Sequence, residues 1–283
     1  MIIRQREVGT WGRAVLHLFL ILFGLLLIYP IVWMVFASFK PEGEIFSNNL
    51  LPTHWIVSQY TKGWSALPNV NFGRMFLNSF FISFVVVIGS LFTSSLTSFA
   101  FARLRFRFKR VLFAMLMITM MLPGQVTLIP QYIIFHKLGW VNTYYPLTIP
   151  SFIGASPFFT FLSVQFIRGI PKEMDESAKI DGCNMFQIYW RMILPLTKPA
   201  LVTIAIFSFY WSWNDFFSQL VYLNSPVKYT IALGLQSFLD QQGSSQWGQM
   251  FAMSVLSLIP VFVIFLFFQR HLTKGIATTG LKG

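Results

Sequence analysis

The sequence predicts an all-α polytopic membrane protein with about six transmembrane helices and a cytoplasmic helical hairpin between the fourth and fifth spans. The first observation behind this prediction is composition: 55% of the 283 residues are hydrophobic, 11% are charged, and the mean hydropathy is +0.63. Such values are typical of membrane proteins and unusual for a soluble domain. The second is the grouping of apolar residues into long runs, and the third is the placement of the 21 lysines and arginines.

The first apolar run contains no charged residue and is long enough to cross about 30 Å of hydrocarbon. A cleaved signal peptide would have a shorter apolar core and a small-residue cleavage site, so we predict a permanent helix that Pro30 kinks. A polar, turn-rich segment from Lys40 to Arg74 follows and is predicted to be an external loop. The whole chain, residues 1–283, is predicted to be one transmembrane domain with spans at about 14–38, 79–102, 111–134, 146–167, 199–222 and 247–269.

Prolines interrupt the third and fourth runs. Pro123, Gly124 and Pro130 break the third, and a broken helix at membrane depth must face protein or a cavity. The region around Gln125 is therefore a candidate wall of a translocation path. The fourth run carries three prolines, which predicts a re-entrant or interfacial piece before the span.

The basic residues fix the predicted orientation. Five of them cluster between Arg103 and Arg110, and in a six-span arrangement 16 of the 21 lie on the same side as both termini. Because such residues stay in the cytoplasm, both termini are predicted to be cytoplasmic. This asymmetry also accounts for the net charge of +12 without nucleic acid as a partner.

The hairpin, residues 171–198, is the only long amphipathic and charge-rich segment. Pro171 and the acidic residues after it predict a helix start, and Gly182 is placed to be a left-handed residue just past the helix end. Asn184 can cap a second helix, which Pro195 ends. A solvated hairpin would also explain these features taken alone.

Phe186, Tyr189 and Ile193 would share one face of that second helix. Two short helices with an apolar face, meeting at a glycine between membrane spans, are typical of a segment that fits the groove of a partner protein.

The spacing of the hairpin residues resembles the "EAA" loop of binding-protein-dependent ABC importers, the membrane-subunit segment that docks into a cleft of the ATPase subunit. Ser177 replaces the family's first alanine, and Met192 replaces a branched aliphatic residue. The resemblance implies that the hairpin couples ATP hydrolysis to transport. The matching coupling residues are Glu176, Ser177, Ala178, Asp181, Gly182, Leu194 and Pro195.

Further stretches look like the second, six-helix permease subunit of maltose-type carbohydrate ABC importers. They are Asn78-Ser79-Phe80, residues 100–106, residues 211–216 and the glycine-rich tail. The resemblance implies a heterodimer with a second permease, two ATPase subunits, a periplasmic or lipid-anchored binding protein, and a di- or oligosaccharide substrate. It also implies that a loop containing Gly243, Ser244 and Ser245 contacts the binding protein.

The chain is predicted not to be an enzyme. It contains no GxxxxGK[ST] phosphate-binding loop, so ATP and Mg²⁺ are expected on partner subunits, and no cofactor is expected here. The single cysteine excludes an internal disulfide, and the four histidines lack the spacing of a metal site.

Aromatic and polar residues cluster on the fifth span, a combination that suits sugar binding. An aromatic belt at the membrane interface would explain the tryptophans equally well. The candidates for the substrate path are Trp211, Trp213, Asn214 and Asp215, with Gln125 of the broken third span.

Three alternatives stay open at this point. An amino-acid or peptide ABC importer permease would share the hairpin. A secondary transporter would need paired ionisable groups in the membrane, whereas Asp215 is the only acidic residue within a predicted span. A scaffold protein would need neither the broken spans nor this hairpin spacing.

Overall fold

The computed structural model describes residues 10–65, 70–239 and 246–280. Its secondary structure confirms the predicted all-α polytopic fold. Four helical segments are long and apolar enough to cross a membrane, and the number rises to six if each of two bent helix pairs is one span. The four are Trp11–Ala37, Phe72–Arg103, Tyr145–Arg168 and Trp247–Gln269.

The helices in the described residues are numbered in chain order. They are α1 (Thr10–Ala37), α2 (Ser58–Trp64), α3 (Phe72–Arg103), α4 (Lys109–Thr119), α5 (Gly124–Lys137), α6 (Tyr145–Thr148), α7 (Pro150–Ile153), α8 (Pro157–Arg168), α9 (Glu173–Ile180), α10 (Met185–Ile188), α11 (Leu194–Leu196), α12 (Lys198–Trp213), α13 (Phe217–Tyr222), α14 (Ile231–Ser237) and α15 (Trp247–Gly280). The chain divides into two compact units, Met1–Ala66 with Phe238–Leu256, and Leu67–Ser237 with Ser257–Gly283.

In the first unit, the apolar surface of α1 is almost fully exposed, as expected of a helix that faces lipid or a partner. The helix continues through Pro30. The segment after it was predicted to be an external loop, yet Lys40 is fully buried there and its ammonium donates to the carbonyl of Asn49. Trp33 packs edge-on against Phe251 at 5.3 Å between ring centroids, which joins α1 to the start of α15.

The second unit is built around α3, which α6, α7, α8, α12 and α14 all contact. Small and hydroxyl-bearing residues line its buried side, so neighbouring helices approach closely. At Gly89 a Cβ atom would meet the Ser151 hydroxyl and would lie 2.9 Å from the ring of Phe152. Thr93 then donates a 3.0 Å hydrogen bond to the Ser151 carbonyl, which fixes α7 against α3.

Near its other end, α3 holds the segment between α13 and α14. The Asn78 amide donates to the carbonyls of Val227 and Tyr229 at 3.0 and 2.9 Å, and the Ser79 hydroxyl accepts a hydrogen bond from the Ile231 amide. These bonds satisfy backbone groups that a regular helix would otherwise pair. The Asn-Ser pair of α3 therefore anchors this segment.

Three of the predicted spans are interrupted, the fourth between α7 and α8. The third bends by 101° between α4 and α5, at the predicted Pro123-Gly124 break. The fifth, predicted to be continuous over 199–222, is interrupted between α12 and α13. There the Asn214 side chain donates back to the Tyr210 carbonyl, while the Asp215 carboxylate accepts from the Ser218 amide. Short polar side chains that bond to the local backbone compete with the helix, which accounts for the interruption.

The close approach at Gly89 predicts the effect of adding a side chain there. Gly89→Leu should destabilise the protein by about 1–3 kcal/mol, because the added atoms overpack the contact of α3 with α7. Fluorescence-detected size-exclusion chromatography after heating measures this loss.

Gly24→Leu is the matched control, since nothing lies within 4 Å of a Cβ at Gly24. Equal thermal stability of the two variants would contradict the packing described for α3.

Candidate functional site

The hairpin begins with α9, whose first turn carries Glu173, Asp175 and Glu176. The helix ends as predicted at a left-handed glycine, since Gly182 has a φ of +82°. The Gly182 amide donates to the Lys179 carbonyl at 3.0 Å. Because this turn requires a positive φ, the glycine sets the angle between the two arms of the hairpin.

Asn184 caps α10, as its position predicted. Its side chain accepts from the Gln187 amide at 2.9 Å, and the Gln187 side chain accepts from the Asn184 amide at 2.8 Å. The sequence analysis missed the reciprocal role of Gln187, although an Asn-x-x-Gln spacing is a variant of the capping box.

The second arm does not end at Pro195, contrary to the prediction. After α10 the chain forms a π-helical turn over Tyr189–Ile193, and Pro195 then lies in the first turn of α11, where its missing amide hydrogen costs little. The helical path bends by 74° only between Met185–Leu196 and α12.

The hairpin has a buried side and an exposed side. On the buried side Ala178, Ile188, Tyr189 and Ile193 pack with Phe99 of α3 and Ile167 of α8. The Tyr189 hydroxyl shares a 2.8 Å hydrogen bond with Ser95. This corrects the predicted common face, because Tyr189 and Ile193 are buried whereas Phe186 is 68% exposed.

Most of the predicted coupling residues lie on the exposed side. Ser177 donates to the Glu173 carbonyl at 2.9 Å, which leaves its hydroxyl engaged within α9. Two large apolar side chains, Ile180 and Phe186, are exposed by 87% and 68% on either side of the glycine turn. The exposed coupling residues are Glu176, Ser177, Asp181, Gly182 and Pro195, whereas Ala178 is buried and Leu194 is partly buried.

A buried ion pair holds the first arm of the hairpin. The Arg103 guanidinium, at the end of α3, lies 2.9 Å from the Asp175 carboxylate, and the two side chains are 3% and 12% exposed. Arg103 also donates to the Ile170 carbonyl at 2.8 Å. This pairing was not predicted, since nothing in the spacing pairs residues so far apart.

The second unit also contains a polar cavity of about 610 Å³ between α3, α7, α8 and α12. Serine hydroxyls, three aromatic rings and a carboxylate line it, and no lysine or arginine is among its lining residues. The polar and aromatic lining residues are Ser90, Ser151, Ser156, Phe159, Ser208, Tyr210, Trp211, Ser212, Asn214 and Asp215.

Three of the five residues predicted for the substrate path line this polar cavity, namely Trp211, Asn214 and Asp215. Trp211 stacks on Phe159 at 5.0 Å and is still 46% exposed. Trp213 is instead buried, and its indole donates to the Ser257 carbonyl at 3.2 Å. Gln125 lies exposed on α5 and is not among the cavity's lining residues.

Two other predictions concern loops and metals. The residues predicted to contact the binding protein, Gly243, Ser244 and Ser245, lie outside the described residues. Within residues 10–65, 70–239 and 246–280, no group of three or more metal-binding side chains comes together.

Because of this ion pair, we expect the stability of the first arm of the hairpin to depend on Asp175. Asp175→Asn should destabilise the first arm by about 3 kcal/mol, because it leaves the Arg103 charge buried without its counter-charge. Tryptic cleavage at Lys172 and Lys179 in the detergent-solubilised protein should become faster as the arm opens locally. Glu176→Gln, the same change at an exposed acid, is the control, and equal cleavage rates in the two variants would contradict the anchoring role.

Comparison with known proteins identifies the family of the chain. Residues 94–278 match the family described as "Binding-protein-dependent transport system inner membrane component". A diacetylchitobiose uptake system permease protein of Streptomyces coelicolor is 34% identical over 91% of this chain and 92% of its own. A galactooligosaccharides transport system permease protein of Bacillus subtilis is 29% identical over 94% of each chain.

Solved structures show the same fold. A chain of a bacterial ABC transporter that imports the acidic polysaccharide alginate superimposes with a TM-score of 0.81 at 24% identity, covering 95% of this chain and 99% of its own. The family match extends over more than half of the sequence, and the curated relatives cover nearly all of it. The chain therefore belongs to the family of inner membrane components of binding-protein-dependent transport systems.

Proposed function

We propose that this chain is one of two permease subunits of an ABC importer for an uncharged di- or oligosaccharide. A binding protein, periplasmic or lipid-anchored, delivers the sugar, and two ATPase subunits hydrolyse ATP with Mg²⁺, so this chain itself is not catalytic. The observation that carries the proposal is the pairing, in one membrane-spanning unit, of a hydroxyl-rich polar cavity with an anchored hairpin. Sugar import by the diacetylchitobiose and galactooligosaccharide relatives supports it.

The polar cavity has the chemistry of a sugar path. Sugars are held by aromatic faces and by polar side chains that exchange hydrogen bonds with hydroxyls. Trp211 offers a ring that is nearly half exposed, and Asn214 and Asp215 offer an amide and a carboxylate at the break between α12 and α13.

The charges of the polar cavity favour an uncharged substrate. Asp215 is the only acidic or basic residue that lines it, and a carboxylate would repel an acidic sugar. The carboxylate of a free amino acid would likewise lack a cationic partner there. A secondary transporter would need a second ionisable group near Asp215 for ion coupling, and the lining offers none.

The hairpin is proposed to transmit ATP-driven motion to the spans. Its exposed apolar residues, Ile180 and Phe186, would enter a cleft of an ATPase subunit, while its buried side moves with α3 and α8. Ala178 would then act by packing the first arm onto the chain rather than by touching the partner. We infer that the hairpin and both termini lie in the cytoplasm and that the chain lies in the bacterial inner membrane.

One prediction of the proposed function concerns the turn of the hairpin. Gly182→Pro should abolish the stimulation of ATPase activity by sugar and binding protein in the reconstituted complex, because proline fixes φ near −65° where the turn needs +82°. Gly182→Asn is the matched control, since asparagine tolerates a left-handed backbone and nothing lies within 4 Å of a Cβ there. If the proline and asparagine variants keep the same stimulation of ATPase activity, the hairpin does not couple ATP hydrolysis to sugar transport.

Another prediction of the proposed function concerns the polar cavity. Trp211→Ala should weaken sugar uptake at least fivefold in proteoliposomes. Loss of an aromatic contact surface costs about 1 kcal/mol or more of binding free energy. The ATPase subunits should still assemble with the variant. Phe217→Ala, at an exposed aromatic residue of α13 that does not line the cavity, is the control; equal uptake by both variants would remove Trp211 from the path.

A further inference from the structure

A second cavity, of about 560 Å³, lies where the first arm of the hairpin meets the end of α3 and the start of α4. We call it the basic cavity, because five basic residues line it and only two acidic ones do. The acids are Asp175 and Glu176, and the basic residues are Arg103, Arg105, Lys109, Lys172 and Lys179.

The basic cavity contains an unused hydrogen-bond donor. The Arg103 side chain is 97% buried, its Nε lies 2.9 Å from the Asp175 carboxylate in the ion pair, and its Nη2 donates to the Ile170 carbonyl. Neither its Nε nor its Nη1 makes a hydrogen bond. The Oδ1 atom of Asp175 likewise has none. Buried polar groups are rarely left unsatisfied, so an anion that also carries a hydroxyl would complete the site.

The surroundings of the basic cavity indicate where that anion comes from. Phe106, Phe108 and Val111 are exposed by 38%, 63% and 49% along a smaller adjoining cavity that shares Arg105 and Lys109 with the basic one. These apolar residues lead into α4, the first half of a candidate membrane span. A cluster of basic residues beside an apolar surface that enters the membrane is suited to bind a phospholipid. The phosphate would contact the basic residues, and the acyl chains would pack on the aromatic residues.

We propose that the basic cavity binds the phosphate of an anionic phospholipid, in the leaflet on the side of the hairpin. The phosphate meets Arg103 and its basic neighbours, and a headgroup hydroxyl donates to Asp175. A lipid bound there contacts both the end of α3 and the first arm of the hairpin, so it reinforces the Arg103–Asp175 anchor. The inference rests on the proposed placement of the hairpin at the cytoplasmic membrane surface, but lipid binding is measured independently of sugar transport.

The test is native mass spectrometry of the purified importer complex, titrated with phosphatidylglycerol or with phosphatidylcholine. We expect phosphatidylglycerol to bind with clear preference over phosphatidylcholine. The double variant Arg105→Gln/Lys172→Gln should bind phosphatidylglycerol about 30-fold more weakly, since each basic residue near an anionic lipid contributes on the order of 1 kcal/mol. Arg105 and Lys172 are both exposed, so the variant tests binding without removing buried contacts.

Arg107→Gln/Arg191→Gln is the matched control. It removes the same charge from the same two segments, but neither residue lines the basic cavity. We expect this control to keep its affinity for phosphatidylglycerol. Equal affinity of the two double variants, equal binding of the two lipids, or displacement of the lipid by millimolar inorganic phosphate would each overturn the proposal. A complex that binds the lipid as expected but shows no sugar-stimulated ATPase activity would instead contradict the proposed transport function.

Discussion

Hydrocarbon supplies no water, so polar groups within the membrane must find partners inside the protein, and in the second unit α3 provides many of them. Its Asn78 and Ser79 side chains hold the irregular backbone that precedes α14, and its Thr93 holds α7. Its serines and Gly89 allow the close helix packing that brings α7, α8 and α12 together. The polar cavity lies among these helices, so the same buried side of α3 both stabilises the unit and shapes the proposed sugar path.

The hairpin depends on α3 in a different way. Its second arm is fixed by apolar packing and by the Tyr189–Ser95 hydrogen bond, and its first arm by the Arg103–Asp175 ion pair. A buried ion pair adds little net stability but penalises any arrangement that separates the charges. In the proposed function, the ion pair would keep the hairpin fixed to α3 when an ATPase subunit engages it. The exposed Ile180 and Phe186 would then be the contacts through which force is applied.

The features predicted correctly from sequence are those that local rules decide. The apolar runs, the left-handed Gly182 and the Asn184 cap depend on neighbouring residues alone, and the Pro123-Gly124 break follows from proline chemistry. The features that were missed depend on contacts between distant segments. The periodicity of Phe186, Tyr189 and Ile193 could not show that the chain itself buries two of them, nor could composition show that Lys40 is buried. Asn214 and Asp215 were chosen for their chemistry, but their effect in ending α12 needed the backbone bonds of the structure.

In the proposed coupling, the hairpin presents Ile180 to an ATPase subunit while its opposite side stays packed on the chain. The most direct measurement is site-specific photo-crosslinking, with benzoylphenylalanine at position 180 or position 188 in the assembled complex. Ile180 is 87% exposed and Ile188 is 1% exposed, so we expect crosslinks to the ATPase subunit from position 180 and only internal crosslinks from position 188. Crosslinks to the ATPase subunit from position 188, or their absence at position 180, would contradict it.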